Sequence, residues 1–286
     1  MGHGSAELIF SSSWTISCLF LAAERLHQGR NVGFRRYGCK IWYQRDDINS
    51  QEAYPPGSNV DDDDETPVKK EEQQGADLTR AAVEAGASHI IFTSTERGGQ
   101  DQSENDPTDV PHFASKYRTE QAIKSAVAAS NGQLTYTFLR PVAFFENMPN
   151  GFLGRAFVSM WRLNGPDRKL QMISSKDVGK VAADAFLNAS SDEYRNKSIS
   201  LAGDSLTPTD AARIFKDETG LAIPATYAWL GWTIRTLVSD LRHMFQWFKV
   251  VGFGTDVSAL RKRYPSLMDF RTWLREESDW SKNKTA

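Results

Sequence analysis

His112 and Lys116 stand four residues apart in Pro111-His-Phe-Ala-Ser-Lys116, so a helix through them sets an imidazole and an ammonium on one face. The pair suits proton transfer: histidine is a proton donor of suitable pKa, and lysine is a point charge that donates to hydroxyls and steadies a neighbouring anion. A lysine near a helix start also opposes the helix dipole, an unfavourable placement that favours a functional reading over a purely surface one. Polar residues cluster at two further points, Thr93-Ser-Thr-Glu96 after an apolar run and Arg140-Pro-Val-Ala-Phe-Phe-Glu-Asn147 after another.

Those points gain meaning from the elements that carry them. Residues 71–86 read as a helix with Leu78, Ala82, Val83 and Ala85 on its apolar side, and Gly86 falls where a left-handed cap is wanted. Ser88-His-Ile-Ile-Phe-Thr-Ser94 is a short, nearly continuous apolar run, the pattern of a strand buried on both faces of a parallel sheet. A polar loop, a helix over 112–130 ending at Asn131-Gly132, and a strand over Leu134-Thr-Tyr-Thr-Phe-Leu139 complete a βαβ unit with a right-handed crossover.

Beyond it, Ser175-Lys-Asp177 opens a helix whose Val178, Val181, Ala182, Ala185 and Phe186 share one face. Ser198–Leu201 is a strand, and Thr207-Pro-Thr-Asp210 caps a helix that stops at Gly220. Residues 221–262, with Trp229, Trp232, Phe245, Trp247 and Phe248, read as a packed helical lobe, closed by a helix around 270–274. The expectation is an α/β fold: a Rossmann-type doubly wound parallel sheet with a smaller, mainly helical C-terminal lobe. The N-terminal strands are degenerate in pattern. The divisions are an atypical N-terminal segment with an acidic loop at 1–70, a nucleotide-binding core at 71–206, and a substrate or partner lobe at 207–286. In such sheets the ligand lies beyond the carboxyl ends of the strands, where Thr93, Ser94 and residues 140–147 fall.

Composition narrows the partners. A net charge of −2 and a pI near 6.2 supply no field that gathers nucleic acid or an anionic membrane. Cys18 and Cys39 give neither a disulfide framework nor a metal spacing, which fits a reducing compartment, cytoplasmic or also nuclear. Leu8 to Ala23 is apolar, but it falls short of the ~18–20 residues needed to span a bilayer. The residues before it lack Lys and Arg, so it reads as a strand or helix of the sheet rather than a signal peptide. The run Asp61 to Glu65 lies in a Pro- and Asp-rich stretch and reads as solvated carboxylates, with no metal expected.

Read together in their order, Phe92-Thr-Ser-Thr-Glu96, His112-Phe-Ala-Ser-Lys116, Arg140 to Asn147, Ser174-Ser-Lys-Asp-Val178, Met244-Phe-Gln-Trp247 and Phe270-Arg-Thr-Trp-Leu274 resemble the NmrA-like family of atypical short-chain dehydrogenases/reductases. The resemblance covers residues 70–276. It implies a Rossmann domain binding NADP(H) or NAD(H) under a smaller lobe, with Lys116 as the active-site lysine on ribose and nicotinamide. Phe144, Phe145, Glu146 and Asn147 would wrap the nicotinamide end. His112 stands where ordinary short-chain dehydrogenases keep a tyrosine acid.

Gly38-Cys-Lys-Ile-Trp-Tyr-Gln-Arg-Asp46 resembles the family's second strand, with Arg45 placed to meet a 2′-phosphate, which favours NADP(H). The departure is in front: family members open with a Gly-x-x-Gly-x-x-Gly turn, and here no glycine occurs between Gly4 and Gly29. That counts against cofactor binding and leaves three readings open. They are an NADP(H)-dependent oxidoreductase acting on a small carbonyl or quinone, a redox sensor that signals to a regulatory protein partner, and a divergent form that binds no cofactor.

Overall fold

The computed structural model describes residues 6–13, 16–24, 40–44 and 67–281. In chain order the elements are β1 (Ala6–Ser13), β2 (Ile16–Glu24), β3 (Lys40–Gln44), α1 (Pro67–Glu84), β4 (Ala87–Thr93), α2 (Gln100–Asn105), α3 (Pro111–Ala129), β5 (Thr135–Pro141) and β6 (Ala143–Phe144). A 3-10 turn at Phe145–Asn147 leads to α4 (Phe152–Arg162), β7 (Leu170–Ile173), α5 (Ser175–Leu187), β8 (Lys197–Leu201) and β9 (Asp204–Leu206). The chain closes with α6 (Pro208–Thr219), α7 (Ala228–Leu237), α8 (Ser239–Val250), α9 (Val257–Arg263) and α10 (Phe270–Glu276). One sheet has the order β3-β1-β2-β4-β5-β8, and a second has the order β6-β7-β9. This is the expected α/β class, with helices alone after residue 207 among the described residues.

The chain divides into two compact units, Met1–Thr93 with Arg118–Phe138 and Ala189–Lys197, and Ser94–Tyr117 with Leu139–Asn188 and Ser198–Ala286. In the first unit, β4 is buried nearly throughout, as its unbroken apolar run requires. Ile90, Phe92, Ile123, Leu134 and Phe138 form its core with Ala82, while Leu78 and Tyr136 pack at the edge. α1 begins at Pro67, four residues before the expected start, and Val83 on its expected apolar side is 47% exposed. Gly86 adopts the left-handed cap, with φ at 74°. α1 approaches α3 at Gly75, where a Cβ would lie 2.5 Å from the Thr119 hydroxyl oxygen.

The front of this unit departs from a wholly parallel sheet. β1 runs parallel to β3, but β2 lies antiparallel to β1 and to β4. Eight residue pairs join β1 to β2, from Ala6↔Ala23 to Ser13↔Ile16.

In the second unit, β6 pairs parallel with β7, and β9 pairs antiparallel with it. The loop 95–111 contains α2, and α4, β7 and β9 are further elements that local pattern did not announce. Ser174 caps α5 by accepting from the Lys176 amide, and Thr207 caps α6 by accepting from the Asp210 amide at 3.0 Å. Phe245, Trp247 and Phe248 of α8 are buried, but Trp229 and Trp232 of α7 are 66% and 61% exposed, against the packed lobe expected of them. The reason is Gly231 between them. It sits against α4 so closely that a Cβ would come 2.9 Å from the Ser159 Cβ, which turns both tryptophans outward.

Candidate active site

Pro111 starts α3 without wasting a hydrogen bond, because the first helical amide has no partner inside the helix. His112, in the first turn, is 8% exposed, and Lys116, one turn later, is 1% exposed. Burial of both fits the shared face their spacing predicts. His112 Nδ1 lies 2.7–2.8 Å from the two carboxylate oxygens of Asp240, at the start of α8. A carboxylate there is favoured by the helix dipole. Nδ1–H therefore donates to Asp240, which fixes the orientation of the ring. Nε2 is buried and has no hydrogen-bond partner among the described residues. Phe113 stacks edge-on beside the imidazole at 4.7 Å and against Trp247 at 5.2 Å, walling the pair with aromatic surface.

The strand ends bring further groups into the second unit. The Ser94 amide donates to Leu139 O at 2.7 Å and the Glu96 amide to Pro141 O at 3.0 Å. Glu96, 0% exposed, accepts from the amides of Gly98, Gly99 and Gly254, the last two of which lie so close that a Cβ on Gly254 would stand 2.8 Å from the Gly99 nitrogen. Burial holds the Glu96 carboxyl above its usual range, and the amide bonds oppose that without cancelling it.

Arg97 is equally buried. Its guanidinium donates to Thr95 O at 2.9 Å, to Ser94 Oγ at 3.3 Å and to Asp106 O at 3.2 Å, and lies 5.3 Å over the Tyr117 ring. These contacts fix the loop that precedes α3. Neither Glu96 nor Arg97 was assigned a role from sequence. A glycine pair beside a charged pair is the only local sign of them.

Among the expected nicotinamide residues, Phe144 is 9% exposed and Phe145 is 0% exposed. The Phe145 ring packs 5.5 Å from both Phe270 and Trp273, so its contacts are with α10. Glu146 turns to the start of α5, accepting from the Ser175 amide and hydroxyl at 2.9 Å and from Ser174 Oγ at 3.2 Å. Asn147 is half-buried at the end of the 3-10 turn. Arg140 is fully buried and pairs with Glu104 at 3.0 Å. Thr93, the last residue of β4 and part of the first unit, has a buried Oγ1 without a hydrogen-bond partner among the described residues. Arg45 lies outside the described residues. Among them no three His, Cys, Asp or Glu side chains gather to hold a metal ion, and no helix is long and apolar enough to cross a membrane.

The model of the NmrA-like family matches residues 64–273. This chain belongs to the NmrA-like family. No curated protein sequence matches it. Solved structures similar to this member include a nucleoside-diphosphate-sugar epimerase from Staphylococcus aureus, at TM-score 0.55 and 15% identity over 74% of this chain and 73% of that one. A triphenylmethane reductase from Citrobacter sp., complexed with NADP(H), has TM-score 0.52 and 16% identity over 77% and 73%. NmrA, a negative transcriptional regulator in complex with NADP, has TM-score 0.51 and 17% identity over 75% and 72%. These likenesses establish the Rossmann-like fold of this family member.

Of the residues expected at a nicotinamide, Lys116 brings an ammonium and His112 a buried ring nitrogen without a hydrogen-bond partner among the described residues, donor types that suit a ribose and a carboxamide. At the front of the chain, the sequence from Ala6 to Glu24 has no glycine, and β1 and β2 pair antiparallel, which is not the glycine-turn pattern expected of the family.

Proposed function

We propose that this NmrA-like protein is a nicotinamide-dependent oxidoreductase that reduces a small carbonyl or quinone, with His112 as its proton donor. The observation that carries the reading is the His112–Asp240 pair, with Nε2 buried and unpartnered on the helix face that also bears Lys116. A structural histidine would spend both nitrogens on the protein. This one spends Nδ1 alone.

A reduced nicotinamide ring held at this site would supply the hydride. Lys116 donates to the ribose hydroxyls and, by its charge, favours the oxyanion that develops as the carbonyl is reduced. Protonated His112 gives its Nε2 proton to that oxygen, while Asp240 keeps the ring from turning. Phe113 and Trp247 exclude water from the imidazole, which strengthens each of these interactions. NADP(H) rather than NAD(H) is the proposed donor, because Arg45 follows the strand expected to carry a 2′-phosphate contact.

Oxidation of reduced nicotinamide by a panel of quinones and aldehydes tests the reading. His112→Asn should lower kcat by about 10²–10⁴, the range of a positioned acid. Asp240→Asn, which no longer fixes the ring, should lower it in the same direction with KM little changed. Tight cofactor binding with no turnover on any acceptor would instead favour a redox sensor that signals to a protein partner, the reading that the regulator among its structural neighbours supports.

A further inference from the structure

We infer that the outer face of α7 seats this protein on an anionic lipid surface, with Trp229 and Trp232 at the depth of the headgroups and arginines of α4 and α7 against the lipid charges. The inference is independent of the oxidoreductase reading, and every element it uses lies in the second unit.

Gly231 sets α7 against α4, and Arg235 ties down its end by donating to Asn164 Oδ1 at 2.7 Å. Positions 229, 232, 233 and 236 recur every three or four residues and share one face, opposite Gly231. That face presents two tryptophan rings to solvent. Tyr227, just before α7, and Phe152, at the start of α4, are 75% and 56% exposed. The Thr226 amide donates to Arg155 O at 3.3 Å, which brings those two helix starts together. The hydroxyls on the face are already bonded: Thr233 Oγ1 donates to Trp229 O at 2.9 Å and Thr236 Oγ1 to Trp232 O at 2.7 Å. Such a face loses little on leaving water, and a patch of this kind marks a contact surface.

The charge around the patch is of one sign. Residues 147–166 and 219–239, which carry α4 and α7, contain Arg155, Arg162 and Arg235 and no Asp or Glu, in a chain whose net charge is −2. Of the acids that bound these stretches, Glu146 is engaged by Ser175, Glu218 by Arg271 and Asp240 by His112. Tryptophan and tyrosine beside arginine match the membrane–water interface, where the ring body is apolar and its N–H or O–H meets the headgroups. α7 has 10 residues, too few to span a bilayer but enough to lie in the plane of its interface. A peptide partner is ordinarily taken into a groove, whereas α7 offers projecting rings that a deformable lipid surface can close around. The net charge gives no long-range attraction, so the arginines act only at contact.

Flotation of the full chain with vesicles tests this. Vesicles of phosphatidylcholine with about one-third phosphatidylserine should carry the protein upward, and phosphatidylcholine alone should carry about fivefold less or lower still. Trp229→Ser with Trp232→Ser should lower the partition coefficient by about tenfold or more, through the apolar area withdrawn from the bilayer. Arg155→Gln with Arg162→Gln should lower it by about tenfold or more on the anionic vesicles, and high salt should act in the same direction. Unchanged circular dichroism and melting temperature separate loss of the contact from loss of the fold. Brominated acyl chains should quench tryptophan emission of the parent, a readout that needs no variant. No flotation with anionic vesicles, equal flotation with neutral ones, no quenching, or no change in either double variant overturns the inference. So does a dimer in sedimentation velocity that the tryptophan variant abolishes while neither vesicle binds, which assigns the face to a second copy of this chain.

Discussion

Lowering the pH from 7.5 to 5 should destabilise the protein by about 2 kcal/mol through His89 alone. His89 sits in β4, 3% exposed, with Nδ1 2.7 Å from Thr135 Oγ1 and Nε2 2.9 Å from Thr137 Oγ1. Both hydroxyls also contact carbonyls, Thr135 with Ser88 O and Thr137 with Tyr194 O. If both donate to those carbonyls, both ring nitrogens face acceptors, which suits the charged ring. Burial disfavours the charge and dominates, so the pKa falls from 6.5 to about 4. The neutral ring is then accommodated by one threonine turning its proton from carbonyl to imidazole.

A folded pKa below the unfolded one gives stability that is present above pH 6.5 and is lost as the pH falls towards 4. With those two values the loss is about 2 kcal/mol at pH 5 and about 3 kcal/mol at pH 4. Urea unfolding of the parent and of His89→Gln at pH 7.5 and 5 isolates this contribution, since other titrating groups are common to both. The parent should lose about 2 kcal/mol more than the variant over that interval. Equal losses would falsify the argument and show that the threonine oxygens, not burial, set the protonation of the ring.

Glu218 on α6 takes hydrogen bonds from Arg271 and Arg275, joining α6 to α10. Burial alone would raise its carboxyl pKa, but the two arginines outweigh that and hold it below the usual value. Glu218→Gln should therefore destabilise by about 1 kcal/mol at pH 7 and progressively less as the pH falls below 4.5, measured by chemical denaturation. Gly254→Ala should cost about 2 kcal/mol or more, because its Cβ meets backbone at Gly98–Gly99, and should lower the melting temperature. Trp247→Ala should cost about 3–5 kcal/mol, whereas Trp229→Ser and Trp232→Ser should each stay within about 0.5 kcal/mol of the parent. A large loss at either exposed tryptophan would mean that α7 is packed through that face.

The periodic elements were legible in the sequence because their signals are local. An unbroken apolar run made β4, a 3.6-residue apolar stripe made α5, and Thr207-Pro208 with Gly220 bounded α6. The shared face of His112 and Lys116 followed from the same periodicity, and the ordered motifs were enough to place the chain in its family. α2, β7 and β9 are too short to carry a period. Tertiary structure alone decided the rest, because each outcome depends on a partner far along the chain. His112 found its carboxylate 128 residues away, Glu96 its third amide 158 residues away, and Phe145 its place against α10. Spacing can put two side chains on one face, but which distant backbone returns to meet them is settled only when the core packs. For the same reason the sequence could report that the glycines were missing, while only the paired register of β1 and β2 determined what stands in their place.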